Sequence, residues 1–251
     1  MKRLLVLLAA FVIVPLVIVA AAMSANWIVG CQMSHQNNDD MIMFPAQPGL
    51  SHRHVYVGAR SNDAFSTTQS MQASGTTCGT PGDTAGYWRP TWLAGYNVHP
   101  SKGWLAYYAF GANAVSFPQG LKMIVRWSSG RIMYKCGPGS ASETRSPPSS
   151  CGSGMLVPVI TFPRYWNGRD LDSPDHISHM SYSRDTAHPV EVPQVKVYAR
   201  TAVPAGQQLD LRLSSGDYTT DHMDFVNAWK LDDLQRLMNQ CRNSNCGTNP
   251  Q

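Results

Sequence analysis

Short runs of β-branched and aromatic residues, separated by Gly, Pro and Ser, recur along this chain and predict strands. They lie at His54–Val57, Gly86–Trp88, Leu105–Tyr108, Met123–Trp127, Ile132–Tyr134, Leu156–Phe162, Gln194–Ala199 and Leu209–Leu213. The Gln194 and Leu209 runs alternate apolar with polar residues, which places one face of each in a core and the other outward. One segment changes period. Between about Asp224 and Cys241, residues Phe225, Trp229, Leu234, Leu237 and Met238 recur at helical spacing. Asp221 and Asp224 near its start, and Arg242 beyond its end, suit the dipole of a helix lying there. Residues 137–154 are rich in Gly, Ser and Pro and read as an excursion, and Thr248–Gln251 as a loose tail. The fold expected is mainly β: a single-domain β-sandwich or jelly-roll-like structure with long loops and a C-terminal helix.

Met1, Lys2 and Arg3 precede an uncharged apolar run from Leu4 to Met23, ending among small residues. This is an export signal, so residues 1–25 are expected to be a signal peptide or an N-terminal membrane anchor, and residues 26–251 one β-rich domain. An extracellular or cell-surface location follows, with contact to a membrane only through that N-terminal segment. Six cysteines, an even number, fit an oxidising compartment. Cys136 and Cys151 bracket the excursion and Cys241 and Cys246 bracket a short tail, so two local disulfides are expected, leaving Cys31 for Cys78. None has C-x-x-C spacing, which argues against a zinc knuckle or a redox pair.

Composition narrows the function classes. Charged residues make up only 14% of the chain and the net charge is +4, of which Lys2 and Arg3 in the leader supply part. Lys and Arg are scattered, and no stripe tracks a phosphate backbone, which excludes nucleic acid as an expected partner. Neither a G-x-G-x-x-G nor a P-loop sequence is present, and there is no G-x-S-x-G elbow. Nucleotide-dependent chemistry and a serine hydrolase are disfavoured.

Three local patterns carry candidate chemistry: His52-x-His54, Asp175-His176-x-x-His179 and His222-x-Asp224. On a strand His52 and His54 would share a face, able to meet one proton or one metal. A divalent metal is the one cofactor this pattern admits, although it matches no named zinc motif. The bland alternative is a buried polar network that orders loops. Asp172, Asp175 and Asp224 are the carboxylates from which a glycosidase pair would be drawn. Eliminative cleavage of a uronic polymer would instead use Asn167, Arg89, His54 and His176 as charge neutralisers and bases. Trp88, Trp92, Tyr108 and Trp166 are aromatics that would stack sugar rings, with Trp166 opening the turn Asn167-Gly168-Arg169-Asp170.

The segments Phe44–His54, Gly75–Cys78 with Ala85–Thr91, Phe117–Leu121, Trp166–Gly168, Leu171–His176 with Ser178–Met180, His188–Val190 and His222–Trp229 together resemble the secreted actinobacterial and fungal family called domain of unknown function 1996. The resemblance implies a secreted or surface-associated role and supplies no activity. Family members carry a cysteine before the Trp-Asn-Gly segment and another before His-Pro-Val; here Tyr165 holds the first position and no cysteine lies between Cys151 and Cys241. Three readings stay open: a polysaccharide-directed hydrolase or lyase built on the His/Asp groups, a noncatalytic protein that binds glycan or cell wall, and a metal-dependent hydrolase. The enzyme readings require those groups to converge on one cleft.

Overall fold

The computed structural model describes residues 26–94, 97–98, 100–139 and 142–251. The expected leader lies outside the described residues, among which no helix is long and apolar enough to cross a membrane. Ten strands build two antiparallel sheets: β1 (Trp27–Cys31), β2 (Met33–Asn37), β3 (His54–Gly58), β4 (Gly86–Pro90), β5 (Ser101–Ala109), β6 (Lys122–Arg126), β7 (Ile132–Cys136), β8 (Met155–Thr161), β9 (Gln194–Ala202) and β10 (His222–Val226). The first sheet has the order β1-β5-β9-β8-β7 and the second β2-β3-β4-β10-β6. Smaller three-stranded sheets join Trp92–Ala94 to Asn97–Val98 and Arg212–Leu213, and Tyr165–Trp166 to Met180–Ser181 and Val190–Glu191.

The core lies between the two large sheets. Val55, Val57, Tyr87, Met123, Val125, Met223 and Phe225 of the second sheet share one buried cluster with Trp27, Trp104, Ala106, Tyr108, Val195 and Val197 of the first. Strand β9 alternates buried and half-buried positions along its whole length, as its sequence predicts. Strands β3 and β4 are buried at every position, so the second sheet is covered on both faces. Its outer cover is a second apolar cluster of Met41, Ile42 and Met71 on Tyr56, Trp88, Ile124 and Val226. Met71 comes from helix α1 (Thr68–Ser74), whose start is fixed by a reciprocal cap between Thr67 and Ser70.

Three expectations need correction. The C-terminal helix α2 spans Leu231–Cys241, not the whole stretch from Asp224. Met223 and Phe225 face the core while His222, Asp224 and Val226 point the other way, a period of two that makes this segment strand β10. The acids in the first helical turn are accordingly Asp232 and Asp233. Within Leu209–Leu213 only Arg212 and Leu213 pair as strand. The tail is docked rather than loose: Thr248 bridges Ile28, and the Asn249 side chain accepts a hydrogen bond from the Gly30 amide at 2.7 Å. The disulfides pair Cys31 with Cys78, Cys136 with Cys151 and Cys241 with Cys246, and the second of these closes the neck of the excursion.

Candidate metal centre

The outer face of the second sheet is where side chains with chemistry meet. Because β3 and β10 bury Val55, Val57, Met223 and Phe225 inward, His54, His222 and Asp224 are turned outward. In register, Asp224 lies opposite Trp88 on one side and Ile124 on the other, and His222 lies opposite Arg126. The chain between β2 and β3 folds over this face. Asp39 fastens it by accepting from the Gly49 amide at 2.7 Å and the Ala64 amide at 3.2 Å, and Asp40 Oδ1 accepts from the amides of Ile42 and Met43, each at 2.9 Å. That segment delivers Asp40, Ser51 and His52 to the roof of a cavity of about 390 Å³, whose floor includes Ile124, Arg126, His222 and Asp224.

His52, His54 and His222 offer three ring nitrogens within 4.8 Å of one another, and Asp40, His54 and Asp224 form an overlapping set with the same spread. The Nε2 atoms of His54 and His222 are 3.4 Å apart. Asp224 Oδ2 is 3.8 Å from His222 Nε2. His54 Nδ1 lies 2.9 Å from the Asp39 carbonyl oxygen, and His222 Nδ1 lies 2.9 Å from that of Thr220. A carbonyl can only accept, so each Nδ1 carries the proton and each neutral ring presents a bare lone pair at Nε2. The two lone pairs point toward a common space. His52 Nε2 and both carboxyl oxygens of Asp224 are buried there without a hydrogen-bond partner.

Electrostatics keeps the imidazoles uncharged. Burial, then the neighbouring His222, pushes His52 down to about 4. Burial and the two adjacent imidazoles hold His54 well below the ordinary histidine range, and burial lowers His222 as well. Burial also raises Asp224 well above the usual carboxylate range, with the charge of Asp40 adding to it. Burial raises Asp40 too, against the opposing amides of Met43 and Ile42. Neutral imidazoles with fixed Nδ1 protons, beside an unpartnered carboxyl, form a nitrogen and oxygen donor set suited to zinc or a similar divalent transition metal. Backbone carbonyls that hold the far nitrogen of a histidine are the usual support of such ligands. A third grouping, Cys31, Cys78 and Asp83, offers no thiolates because its sulfurs are joined in a disulfide.

The remaining candidates do not reach this centre. Asp175 caps its own loop, accepting from the amides of Ile177 and Ser178 and from Ser173 Oγ, contacts that hold its carboxyl below the usual range. His179 is buried, donates from Nε2 to the Lys122 carbonyl at 2.7 Å and meets Ser173 Oγ at 2.9 Å. His176 contacts Asp172 at 2.9 Å, and Asp172 also binds Lys122 Nζ at 3.1 Å. His176 lines an adjoining hollow of about 180 Å³ that shares Ile124, Arg126 and Ser128 with the first cavity. A single cleft holding every histidine pattern is therefore not what forms.

The expected sugar platform is also corrected. Trp88, Trp92 and Tyr108 are core side chains with no face left for a ligand. Arg89, pointing inward from β4, is 1% exposed and spends its Nη2 on both oxygens of Asp221, each at 2.7 Å. Trp166 donates to the Asp170 carbonyl at 2.6 Å, and the Asn167 side chain is occupied by Asp170 and the amides of Arg169 and Asp170. Sequence reasoning overlooked Asp40 and Arg126. The adjacent acids Asp39 and Asp40 offered a signal, whereas a lone arginine at a strand end offered none.

The profile of the family described as Domain of unknown function (DUF1996) matches residues 40–229, a span that holds His52, His54, His222 and Asp224. No curated protein matches, and no solved structure matches.

Proposed function

This chain belongs to the DUF1996 family, and we propose that it is an exported metal-dependent hydrolase whose ion is held by His52, His54, His222 and Asp224. The observation that carries the reading is the pair of facing Nε2 lone pairs, each ring locked by its Nδ1 proton on a backbone carbonyl. A loop-ordering polar network would give each of these atoms a hydrogen-bond partner. Here His52 Nε2 and both Asp224 oxygens have none among the described residues. A cation among the three imidazoles would supply the missing partner of His52 Nε2, with Asp224 Oδ2 beside it, 3.8 Å from His222 Nε2. Bound there, it would polarise a substrate oxygen as a Lewis acid. The protein's part is to fix the three rings and to keep Asp40, next to Asp224, as a group that can hold or release a proton.

Elemental analysis and calorimetric titration of the chelator-stripped protein with zinc, copper and manganese test the reading. One ion per chain is expected, with the stoichiometry lost in a His54→Ala/His222→Ala variant. A folded wild-type chain that takes up none of these ions would end it.

A second reading, glycan binding without catalysis, draws on the opposite surface. Tyr107 and Tyr198 stand side by side on the outer face of the first sheet, ring centroids 4.9 Å apart, and line a cavity of about 340 Å³ with Lys135 and Arg200. Under that reading Tyr198→Ala abolishes retention on a glycan column, while the His54→Ala/His222→Ala variant is retained as wild type.

A further inference from the structure

The metal cavity opens onto a second hollow, and the wall between them carries a cation that the fold does not use. Arg126 ends β6 directly opposite His222, and its side chain is exposed. Its guanidinium takes part in no ion pair or side-chain hydrogen bond among the described residues. Other arginines are committed: Arg89 to Asp221, Arg145 to the carbonyls of Ile132 and Trp127, Arg242 to the carbonyl of Ala112. Two nearby acids are committed, Asp221 to Arg89 and Asp172 to Lys122 and His176, while Asp224, whose carboxyl feels the charge of Arg126, makes no ion pair or hydrogen bond with it. The positive charge of Arg126 is thus left facing solvent at the junction of the two cavities.

We infer that the substrate is a uronate-bearing polysaccharide laid across both hollows, with Arg126 binding the sugar carboxylate beside the proposed ion. The inference rests on the metal-dependent reading and adds the substrate class to it. Four features carry it. Two hollows that share Ile124, Arg126 and Ser128, about 390 and 180 Å³, accommodate successive units of a chain better than one compact molecule. Phe44, half-buried in the wall of the first hollow, offers a face to a sugar ring, and Tyr182 in the second, with the Arg131 guanidinium over one face of its ring, has the other face for a sugar. Ser128, Ser129, Thr219 and Thr220 line the same walls; the hydroxyls of the last three donate to Arg126 and Asp217 and keep lone pairs that can accept from a hydroxyl-rich ligand. An unpaired guanidinium selects a planar carboxylate through its two-pronged donor geometry.

His176 lines the second hollow and not the first. Its backbone is held at φ 60°, a left-handed conformation uncommon for a side chain of this size, and Asp172 accepts from its Nδ1. That leaves Nε2 to meet a ring hydroxyl of the unit in the second hollow.

Affinity electrophoresis of the zinc-loaded protein through gels containing polygalacturonate, alginate or neutral dextran tests the inference, with the metal content of each sample measured in parallel. The wild type is expected to be retarded by the two polyuronates and not by dextran. Arg126→Ala should weaken that retardation at least tenfold, Arg126→Lys should restore part of it, and both variants should keep one ion per chain. Equal retardation by dextran, no retardation by either polyuronate, or an Arg126→Ala variant that behaves as wild type would overturn the inference. Failure of the metal reading is seen separately, as a wild-type protein without zinc.

Discussion

His54 and His222 face each other through Nε2 atoms 3.4 Å apart, with each Nδ1 donating to a backbone carbonyl. With no proton between them, the pair is repulsive until something electron-accepting enters. A ligand that binds only the folded state stabilises it by about 4 kcal/mol at a thousand times its dissociation constant. For a chain of this size that corresponds to a rise in Tm on the order of 10 °C. Differential scanning calorimetry with and without zinc should show the rise in the wild type and its absence in His222→Ala. A wild-type Tm indifferent to zinc would count against the site.

Asp224 sharpens the distinction between a binding group and a structural one. Its carboxyl is fully buried and makes no hydrogen bond. Replacing such a group by an apolar one of similar size is expected to stabilise the metal-free fold by roughly 1–3 kcal/mol. Asp224→Leu should therefore unfold at higher denaturant concentration than wild type in the presence of chelator, and should lose the gain from zinc. A binding residue that costs the fold stability is the usual trade between function and robustness. Were the variant less stable than wild type without metal, Asp224 would be holding the loop rather than awaiting an ion.

Arg89 gives the opposite expectation. Both members of the Arg89–Asp221 pair are buried, and Tyr134 Oη also donates to Asp221 at 2.9 Å. Removing one partner strands the other charge in the core, a loss of about 3–5 kcal/mol. Arg89→Ala should thus shift the urea midpoint strongly downward, while any zinc-bound fraction that remains folded keeps its metal. Unchanged stability would return Arg89 to the list of ligand-binding candidates.

These contrasts show what was legible beforehand. Alternation along β9 predicted its buried face because a half-covered strand must separate apolar from polar residues. The same rule misled at Phe225 and Trp229, whose four-residue spacing imitates a helix although Phe225 packs from a strand and Trp229 from the connection that follows. His52, His54, His222 and Asp224 were recognisable as chemistry-bearing residues from local pattern. Their convergence was not, since it depends on β4 pairing with both β3 and β10 and on the Asp39 segment folding over the sheet. Trp88 and Tyr108 illustrate the reverse: residue type suggested a sugar platform, and only the two-sided burial of β4 and the inward face of β5 reveal them as core.

Asp83 predicts a pH dependence independent of the candidate site. It is completely buried where the two large sheets meet, accepting from Tyr87 Oη at 2.9 Å and from the Ala85 amide at 3.3 Å. Burial raises its carboxyl to about 7 despite these bonds. In the unfolded chain the same group titrates near 4. Between those two values the native state holds a proton that the unfolded state has lost, so its contribution to stability falls as pH rises from about 4 to about 7. The full effect is at most roughly 4 kcal/mol. Asp83→Asn stays neutral throughout and should flatten this part of the profile. Urea denaturation at intervals from pH 4.5 to 8 is expected to show the variant gaining on the wild type as pH increases. A difference between the two that stays constant over that range would mean that Asp83 has the same charge at both ends, and that burial at this position does not hold its proton.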